Sequence, residues 1–346
     1  MPPPRCRRCP LPAALRRPRT AEPLCRRCFL LAFEDEAHRA LTARNPGETL
    51  AVAASGGKDS TVLAHLLRRL ERRHAYGYRL ALLSVDEGIA GYREAALGAV
   101  RRGRGDLPLL VVSHRQLFGW SVDEVAARLG DGSRCTFCGV FRRQALEKGA
   151  RLLGVDWIVT GHNADDIAET VLMNFLRGDV ARLRRAATEA GGATPPVAPW
   201  PAVPRCKPLR HAYEKEIVLY AYFEGLDYVS TECVYAPHAY RGYARALLKD
   251  LEATRASTVA ALGHSGRRLA VAAEVATKTL GACGRCGFAA SQPLCKACVL
   301  LASLERGLPR LGLGKRALEV AGGTGGYWDG AGGAGGYGGG GAWWPA

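Results

Sequence analysis

The sequence predicts an α/β fold, in which a parallel β-sheet carries helices on both faces and a four-cysteine module flanks it at each end. Short apolar runs alternate with segments of helical periodicity between residues 49 and 177. This alternation favours a parallel sheet over an antiparallel one. Ligands of such sheets bind at the carboxyl ends of the strands.

The predicted elements follow one another in strand–helix pairs. Strands are predicted at 49–54, 79–85, 108–113 and 157–160, and helices at 60–73, 92–102, 139–153 and 164–177. The proline and glycine residues of 188–208 predict a loop, and helices are predicted again at 213–224 and 240–262. The glycine-rich segment 321–346 is of low complexity and cannot form a packed core.

Charge and composition divide the 346-residue chain further. We predict an N-terminal zinc module at 1–32, a central α/β domain at 46–262, a C-terminal zinc module at 263–320 and a tail at 321–346. Of the net charge of +16, residues 1–28 carry +7 and residues 263–320 carry +6. This clustering indicates two basic modules that hold a polyanion such as RNA.

The sequence also limits where the protein acts. No apolar run reaches the roughly 18 residues that a transmembrane helix requires. The N-terminus is charged and has no apolar core of the kind found in secretory signals. We therefore expect a soluble, intracellular protein without a membrane partner.

Ten of the twelve cysteines fall into five Cys-x-x-Cys pairs. Four of these pairs form two sets whose spacing is typical of four-thiolate zinc sites. The two predicted sets of structural Zn²⁺ ligands are Cys6, Cys9, Cys25 and Cys28, and Cys283, Cys286, Cys295 and Cys298. Cysteine pairs inside cells more often bind metal or do redox work than form a disulfide framework.

The remaining pair, Cys135 and Cys138, has only Cys233 and Cys206 left to join it. Three cysteines do not complete a zinc site. Cys135, Cys138 and Cys233 could hold three irons of a [4Fe–4S] cluster and leave the fourth iron open. They could equally be nucleophiles that carry sulfur as a persulfide, or three unrelated buried thiols. Cys206 receives no role.

A phosphate-binding loop is predicted directly after the first strand. The segment Ser-Gly-Gly-Lys-Asp-Ser joins that strand to a helix, and its residues are Ser55, Gly56, Gly57, Lys58, Asp59 and Ser60. Glycines let the backbone present its N–H groups, and the helix adds its positive N-terminal end. Lys58 supplies a cation, and Asp59 could help to hold Mg²⁺. The segment is not a Walker A loop, because an aspartate follows the lysine.

The order of the motifs resembles that of the PP-loop ATP pyrophosphatases and, among them, the wobble-uridine tRNA thiolases. The resemblance covers residues 1–318 and includes the two four-cysteine sets and the phosphate loop. Its other motifs are SVDEGI at 84–89, CTFCGVFRR at 135–143, GHNADDIAETVLMNFLRGD at 161–179, KPLR at 207–210 and STECVYAPHAYRG at 230–242. It implies a HUP-like PP-loop domain of the adenine nucleotide alpha hydrolase-like type.

The resemblance also implies roles for single residues. The phosphate-loop residues would bind the phosphates of ATP, and Asp86 would lie near its adenosine half. Gly161 and His162 would open the next strand-to-helix turn of the nucleotide site. Asp165 and Asp166 would cap the following helix, and one of them would act on Mg²⁺-ATP or on the activated base. The alternative for both carboxylates is capping alone.

The same resemblance assigns sulfur chemistry to Cys135, Cys138 and Cys233. Related thiolases often place a lysine four residues after the second cysteine of this pair, whereas this chain has Arg142. Arginine keeps the positive charge but cannot act as a general base. The implied role of Arg142 is therefore electrostatic.

The activity implied is ATP-dependent 2-thiolation of uridine 34 in cytoplasmic tRNAs for Lys, Glu and Gln. The uridine would be adenylated and then receive sulfur from a thiocarboxylated ubiquitin-like carrier. A related second subunit or self-association is also implied. The alternatives are a PP-loop enzyme for 2-thiocytidine or with a nitrogen nucleophile, and a non-enzymatic zinc protein that binds RNA.

Overall fold

The fold was analysed on a computed structural model of the chain. The structure describes residues 4–42, 45–130, 133–180, 182–183, 202–237, 239–269 and 281–313. The predicted tail at 321–346 and most of the predicted loop at 188–208 lie outside the described residues. None of the described helices is long and apolar enough to cross a membrane.

The N-terminal module is a small hairpin followed by a helix. Strands β1 (Leu15–Arg16) and β2 (Pro23–Leu24) pair antiparallel, and helix α1 (Arg26–Leu41) begins inside the second cysteine pair. Its N-cap is Cys25, whose sulfur accepts a hydrogen bond from the backbone N–H of Cys28. Sequence reasoning did not predict α1.

The central domain is built on a five-stranded parallel sheet. Its strands are β3 (Thr49–Ala53), β4 (Arg79–Asp86), β5 (Leu109–Ser113), β6 (Trp157–Val159) and β7 (Arg205–Cys206), in the spatial order β5-β4-β3-β6-β7. The four predicted strands are confirmed to within one residue. The prediction of a loop is wrong at 205–206, where β7 pairs with β6.

Nine helices of the described chain connect or cover these strands. They are α2 (Lys58–His74), α3 (Arg93–Gly103), α4 (His114–Phe118), α5 (Val122–Leu129), α6 (Arg134–Leu152), α7 (Ala164–Leu176), α8 (Glu214–Glu224), α9 (Tyr240–Thr254) and α10 (Thr258–Arg268). The helix predicted at 240–262 is wrong in extent, because the chain breaks between α9 and α10. The start of α6 was also predicted too late, and its first turn contains Cys135 and Cys138.

The alternating side chains of the sheet form a hydrophobic core on each face. Leu50 and Val52 of β3 pack with α1, α2 and α8 on one face. Ala51 of β3 and Ile158 of β6 pack with α4, α5 and α6 on the other. This two-faced burial explains why the strands are continuous apolar runs, and it confirms the predicted fold class.

The C-terminal module has the same plan as the N-terminal one. Strands β8 (Gly281–Ala282) and β9 (Ala289–Ala290) pair antiparallel and precede helix α11 (Lys296–Glu305) and a 3-10 turn at Leu311–Leu313. Ala297, Leu300 and Leu304 of α11 belong to the core that contains α6. The second module is therefore packed directly on the central domain.

Candidate functional site

The phosphate loop lies between the carboxyl end of β3 and the N-terminus of α2, as predicted. The Ser60 hydroxyl accepts a hydrogen bond from the Ser55 N–H at 3.1 Å and donates to the Gly57 carbonyl at 3.0 Å. Gly56 has a φ of +79°, and a Cβ atom there would lie 2.4 Å from the carbonyl oxygen of Ala96. Only glycine fits at this position, and its neighbours hold the loop amides in a fixed arrangement.

A network of charged side chains orders the first turn of α2. Lys58 Nζ lies 2.7 Å from Glu214 Oε1 and 3.2 Å from Asp59 Oδ2. The Asn163 side-chain amide donates to Asp59 Oδ1 at 2.9 Å. Burial disfavours the charged lysine, but Asp59 and Glu214 outweigh it and raise the pKa of Lys58. Lys58 therefore carries its charge at neutral pH.

Asp59 experiences opposing influences. Burial raises its pKa, while Lys58 and the amide of Asn163 act in the other direction. The net pKa is above the usual value. The carboxylate remains partly exposed and contacts both Lys58 and Asn163.

The two carboxylates of α7 have different environments. Asn163 is the N-cap of α7, and Asp166 completes the capping box by accepting from the Asn163 N–H at 3.2 Å. Asp166 also lies 3.1 Å from Arg241 Nη1. The capping alternative for Asp166 is confirmed, and its proposed catalytic role stays a prediction.

Asp165 does not cap the helix, so the prediction that it does is wrong. It is buried, with Oδ1 2.9 Å from Lys249 Nζ and Oδ2 accepting from the Glu214 N–H at 2.8 Å. Both of its oxygens have protein partners. These contacts join α7, α8 and α9 behind the phosphate loop.

The other predicted nucleotide-site residues lie at the same edge of the sheet. A Cβ atom at Gly161 would lie 2.9 Å from the backbone carbon of Asp59, so this position also requires close backbone approach. His162 Nδ1 lies 2.8 Å from Thr160 Oγ1, and burial lowers the pKa of His162 to about 4. Asp86 ends β4 and accepts from the Gly88 N–H at 2.9 Å. The histidine is thus neutral at physiological pH.

The cysteine trio consists of Cys135, Cys138 and Cys233 and lies beside this edge of the sheet. Cys135 and Cys138 lie in the first turn of α6, and Cys233 lies in the segment before α9. Besides burial, Cys233 raises the pKa of each of the two helical thiols, which places it near both. Burial raises the pKa of Cys138 to about 11. The three sulfurs do not all lie within 4.8 Å of one another.

That spacing does not suit a single tetrahedral zinc ion, whose bonds to sulfur of about 2.3 Å bring thiolates close together. Three thiols from two segments are the donor set of a [4Fe–4S] cluster with one open iron, in which each thiolate binds a different iron.

Arg142 links the cysteines to the sheet. Its Nη2 donates to Cys138 Sγ at 3.4 Å, and its Nε lies 2.8 Å from Glu87 Oε1. Glu87 directly follows β4 and raises the pKa of Arg142 further, so the guanidinium is permanently charged. Sequence reasoning gave Glu87 no role, although it lies in the quoted SVDEGI motif.

Both four-cysteine sets form compact clusters. The sulfurs of Cys6, Cys9, Cys25 and Cys28 lie within 4.8 Å of one another, and so do those of Cys283, Cys286, Cys295 and Cys298. Four thiolates at this separation fit one tetrahedral metal ion. Zinc requires no further ligand in such a structural site.

The parallel sheet, the glycine-rich turn and the helix that follows it define a nucleotide-phosphate-binding domain. Comparison with protein families gives the same class, because the PP-loop domain family matches residues 31–251 and the zinc-ribbon family matches residues 281–312. The PP-loop match covers more than half of the chain.

Curated relatives narrow the class to one family. Cytoplasmic tRNA 2-thiolation protein 1 of Xenopus laevis is 56% identical over 308 residues, which cover 88% of this chain and 89% of the relative. The protein of that name from Drosophila ananassae is 55% identical over 316 residues, with 90% of each chain covered. The chain therefore belongs to the cytoplasmic tRNA 2-thiolation protein 1 family.

A solved structure agrees with this relationship. The U34-tRNA thiolase NcsA from Methanococcus maripaludis, solved with its [4Fe-4S] cluster, matches with a TM-score of 0.71. It is 27% identical, and the match covers 86% of this chain and 95% of NcsA. The overall fold is thus shared with a U34-tRNA thiolase.

Proposed function

We propose that this protein catalyses ATP-dependent 2-thiolation of uridine 34 in cytoplasmic tRNAs. The observation that carries the proposal is the joining of the phosphate loop to the cysteine trio. The Val229 N–H donates to the Gly56 carbonyl at 2.9 Å, and Val229 precedes Cys233 by four residues. Cys135 Sγ in turn lies 3.8 Å from the Tyr235 carbonyl oxygen. One segment therefore contacts both reactive centres.

The first half of the reaction is adenylation. The O2 atom of the uridine attacks the α-phosphorus of ATP, a P–O bond forms, and pyrophosphate leaves. The loop amides, the N-terminus of α2 and the charged Lys58 stabilise the negative charge on the phosphates. Asp59, whose carboxylate is partly exposed, would bind Mg²⁺ that accompanies ATP. Adenylation converts O2 into a good leaving group.

The second half is sulfur transfer. A sulfide equivalent attacks C2 of the adenylated uridine, a C–S bond forms, and AMP leaves. Cys135, Cys138 and Cys233 would hold a [4Fe–4S] cluster, which when bound offers one open iron for sulfide. Arg142 donates to Cys138 and pairs with Glu87, so it positions this thiol without accepting a proton.

The remaining assignments follow from the family and the charge distribution. The sulfur would come from a thiocarboxylated ubiquitin-like carrier, and the tRNAs would be those for Lys, Glu and Gln. A related second subunit or a second copy would complete the enzyme. The two zinc modules at 1–32 and 263–320 would hold the tRNA beside the domain at 46–262.

The direct test is nucleoside mass spectrometry on bulk tRNA from cells that carry Asp59→Ala as their only copy. We expect 2-thiouridine derivatives to vanish while 2-thiocytidine is unchanged. Asp106→Ala is the matched control, because Asp106 is exposed and only forms a surface pair with Arg68. Normal 2-thiouridine in the Asp59→Ala cells would refute the substrate assignment.

A second measurement separates the two half-reactions. Purified Cys135→Ser protein should release pyrophosphate in the presence of ATP and tRNA but insert no sulfur. Iron and sulfide analysis of the anaerobically purified wild type should give about four of each per chain. A chain that thiolates tRNA without iron would instead favour persulfide chemistry at the trio.

A further inference from the structure

A cavity of about 460 Å³ lies beside the nucleotide site. It is lined by the start of α7, the turn before α8, the segment between α9 and α10, α10 itself and Arg19 of the N-terminal module. Ala164, which follows the N-cap Asn163, lines the cavity, and so does Tyr213, which precedes Glu214. The two helices that contact the phosphate loop, α7 and α8, therefore also border the cavity.

The polar lining of the cavity is cationic. Its charged side chains are Arg19, Arg210, Arg255 and Arg267, and two histidines accompany them. Among the described residues, no carboxylate lines the cavity. These arginines come from three distant parts of the sequence, which include both the N-terminal basic stretch and the C-terminal one.

The electrostatic environment of His211 shows how closely these cations converge. Burial lowers its pKa, and so do the charges of Arg210, Arg267 and Arg19. Glu36 opposes this shift, but it also pairs with Arg17 and Arg19. Arg255 contributes its Nε to the Ser257 hydroxyl at 3.0 Å. The group of cations thus exceeds the nearby carboxylates.

Part of the cavity lining is apolar. Ile167 of α7 and Val259, Ala260 and Ala261 of α10 form it. A lining with both arginines and apolar side chains suits a phosphate attached to a sugar or base, because arginine forks bind phosphate and apolar groups contact the attached ring.

We propose that this cavity binds a phosphodiester of the tRNA and so anchors the RNA next to the adenylation site. The inference rests on the proposed function, because it takes tRNA as the substrate. It assigns a specific place where the two basic ends of the chain meet the central domain. A bound phosphate here lies against α7, whose N-terminus contributes Asn163 to the Asp59 contact.

The test measures tRNA affinity of the full-length protein as a function of salt. Arg255→Gln combined with Arg267→Gln removes two cations from the cavity. We expect tRNA binding to weaken about tenfold or more, and the slope of log K against log salt to fall by about 1–2. Binding of ATP should not change.

The matched control is Arg101→Gln combined with Arg104→Gln. These exposed arginines lie at the C-terminal end of α3, which a parallel crossover places at the opposite edge of the sheet. The control variant removes the same charge as the cavity variant but at a site away from the cavity. It should therefore bind tRNA within about twofold of the wild type. Equal losses in the two double variants would show a general charge effect and would overturn the proposal.

A third variant tests the cavity without removing an arginine. Ala261→Glu introduces a carboxylate on α10, where glutamate is nearly as good a helix former as alanine. We expect it to weaken tRNA binding as the cavity double variant does. Zinc content and Tm equal to those of the wild type establish that each variant is folded, and unchanged tRNA binding in folded Ala261→Glu would overturn the proposal.

Free phosphate is the alternative source of the same chemistry. Calorimetric titration with inorganic phosphate and with AMP distinguishes it. If the cavity variants lose phosphate or AMP binding but keep tRNA affinity, the cavity binds a free anion and the proposal is wrong. If the wild type does not bind tRNA, the proposed function fails as well; if wild type and cavity variants bind tRNA equally, only the cavity assignment fails.

Discussion

Replacing Gly56 by alanine should disable the phosphate loop, whereas the same change at Gly57 should be tolerated. Gly56 has a φ of +79°, and its Cβ would lie 2.4 Å from a backbone oxygen of Ala96. A left-handed conformation costs a non-glycine residue about 1–2 kcal/mol. The close contact adds to this cost, because the neighbour is backbone and cannot rotate away.

Gly57 is adjacent in sequence and has no such constraint. A Cβ atom there would lie 3.6 Å from Ser55 Oγ and 4.0 Å from the Val229 carbonyl oxygen, which are ordinary contacts. Gly57→Ala is therefore a control with the same added methyl group in the same loop.

The assay combines thermal unfolding without nucleotide and calorimetric titration with ATP. A cost of about 1–2 kcal/mol in Gly56→Ala should lower the Tm by about 2–8 °C. It should also weaken ATP binding about tenfold or more, because the loop amides move. Gly57→Ala should keep the wild-type Tm. If Gly57→Ala lowers the Tm as much as Gly56→Ala, or Gly56→Ala behaves like the wild type, the argument from backbone conformation is refuted.

Two other perturbations have defined outcomes. Burial opposes ionisation of Glu214, but Lys58 and Lys249 outweigh it and hold its pKa at about 2. Because this folded-state pKa is below the unfolded value of 4.5, the ionised Glu214 stabilises the fold above pH 4.5. This stabilisation is lost as the pH falls toward 2. Glu214→Gln should therefore lower the free energy of unfolding by about 3 kcal/mol at pH 7. Urea titrations measure the difference in this free energy between wild type and variant, and a difference that is no smaller at pH 4 than at pH 7 would contradict the prediction. A chelator that removes the proposed zinc should expose Leu300 of α11 and the core side of α6, and Cys295→Ala should do the same. Binding of a dye specific for exposed apolar surface measures this. A chelated protein with an unchanged Tm would mean that α11 docks without its metal.

The elements that sequence predicted well are those that are fixed by local pattern. The buried strands appear as apolar runs, and helix α2 follows the glycine turn with its apolar residues on one face. Helix α5 was missed although a local signal exists, since Ser121 and Glu124 form a capping box at its start. That omission was avoidable.

Other features depend on contacts between distant residues. The break between α9 and α10 surrounds the Tyr213 hydroxyl, which donates to the Ala256 carbonyl at 3.0 Å and accepts from the Ala260 N–H at 3.1 Å. The apolar periodicity continues through this break, so the sequence pattern predicts one continuous helix. Tyr213, more than 40 residues earlier in the chain, thus bonds one group in the break and one in α10.

The candidate site shows the same division between local and distant information. The phosphate loop and the predicted zinc ligands have fixed spacings, so the sequence alone could single them out, and the structure confirms that the eight cysteines form two clusters. Glu214 and Lys249 were missed because no spacing relates them to Lys58, which Glu214 contacts 156 residues later in the chain. Asp165 was assigned to the nucleotide because its motif suggested it.

Both carboxylates belong to one network. Asp165 has both oxygens bound by protein groups, and so does Glu214, which pairs with Lys249 and with Lys58 of the phosphate loop. Lys249 contacts both of them at 2.9 Å, so α9 is coupled to the loop through a continuous chain of ion pairs. Since the segment carrying Cys233 leads into α9, a shift of α9 would move the loop and the cysteine trio together. We therefore expect Lys249→Met to impair pyrophosphate release and sulfur insertion in parallel, and a loss confined to either half-reaction would refute this coupling.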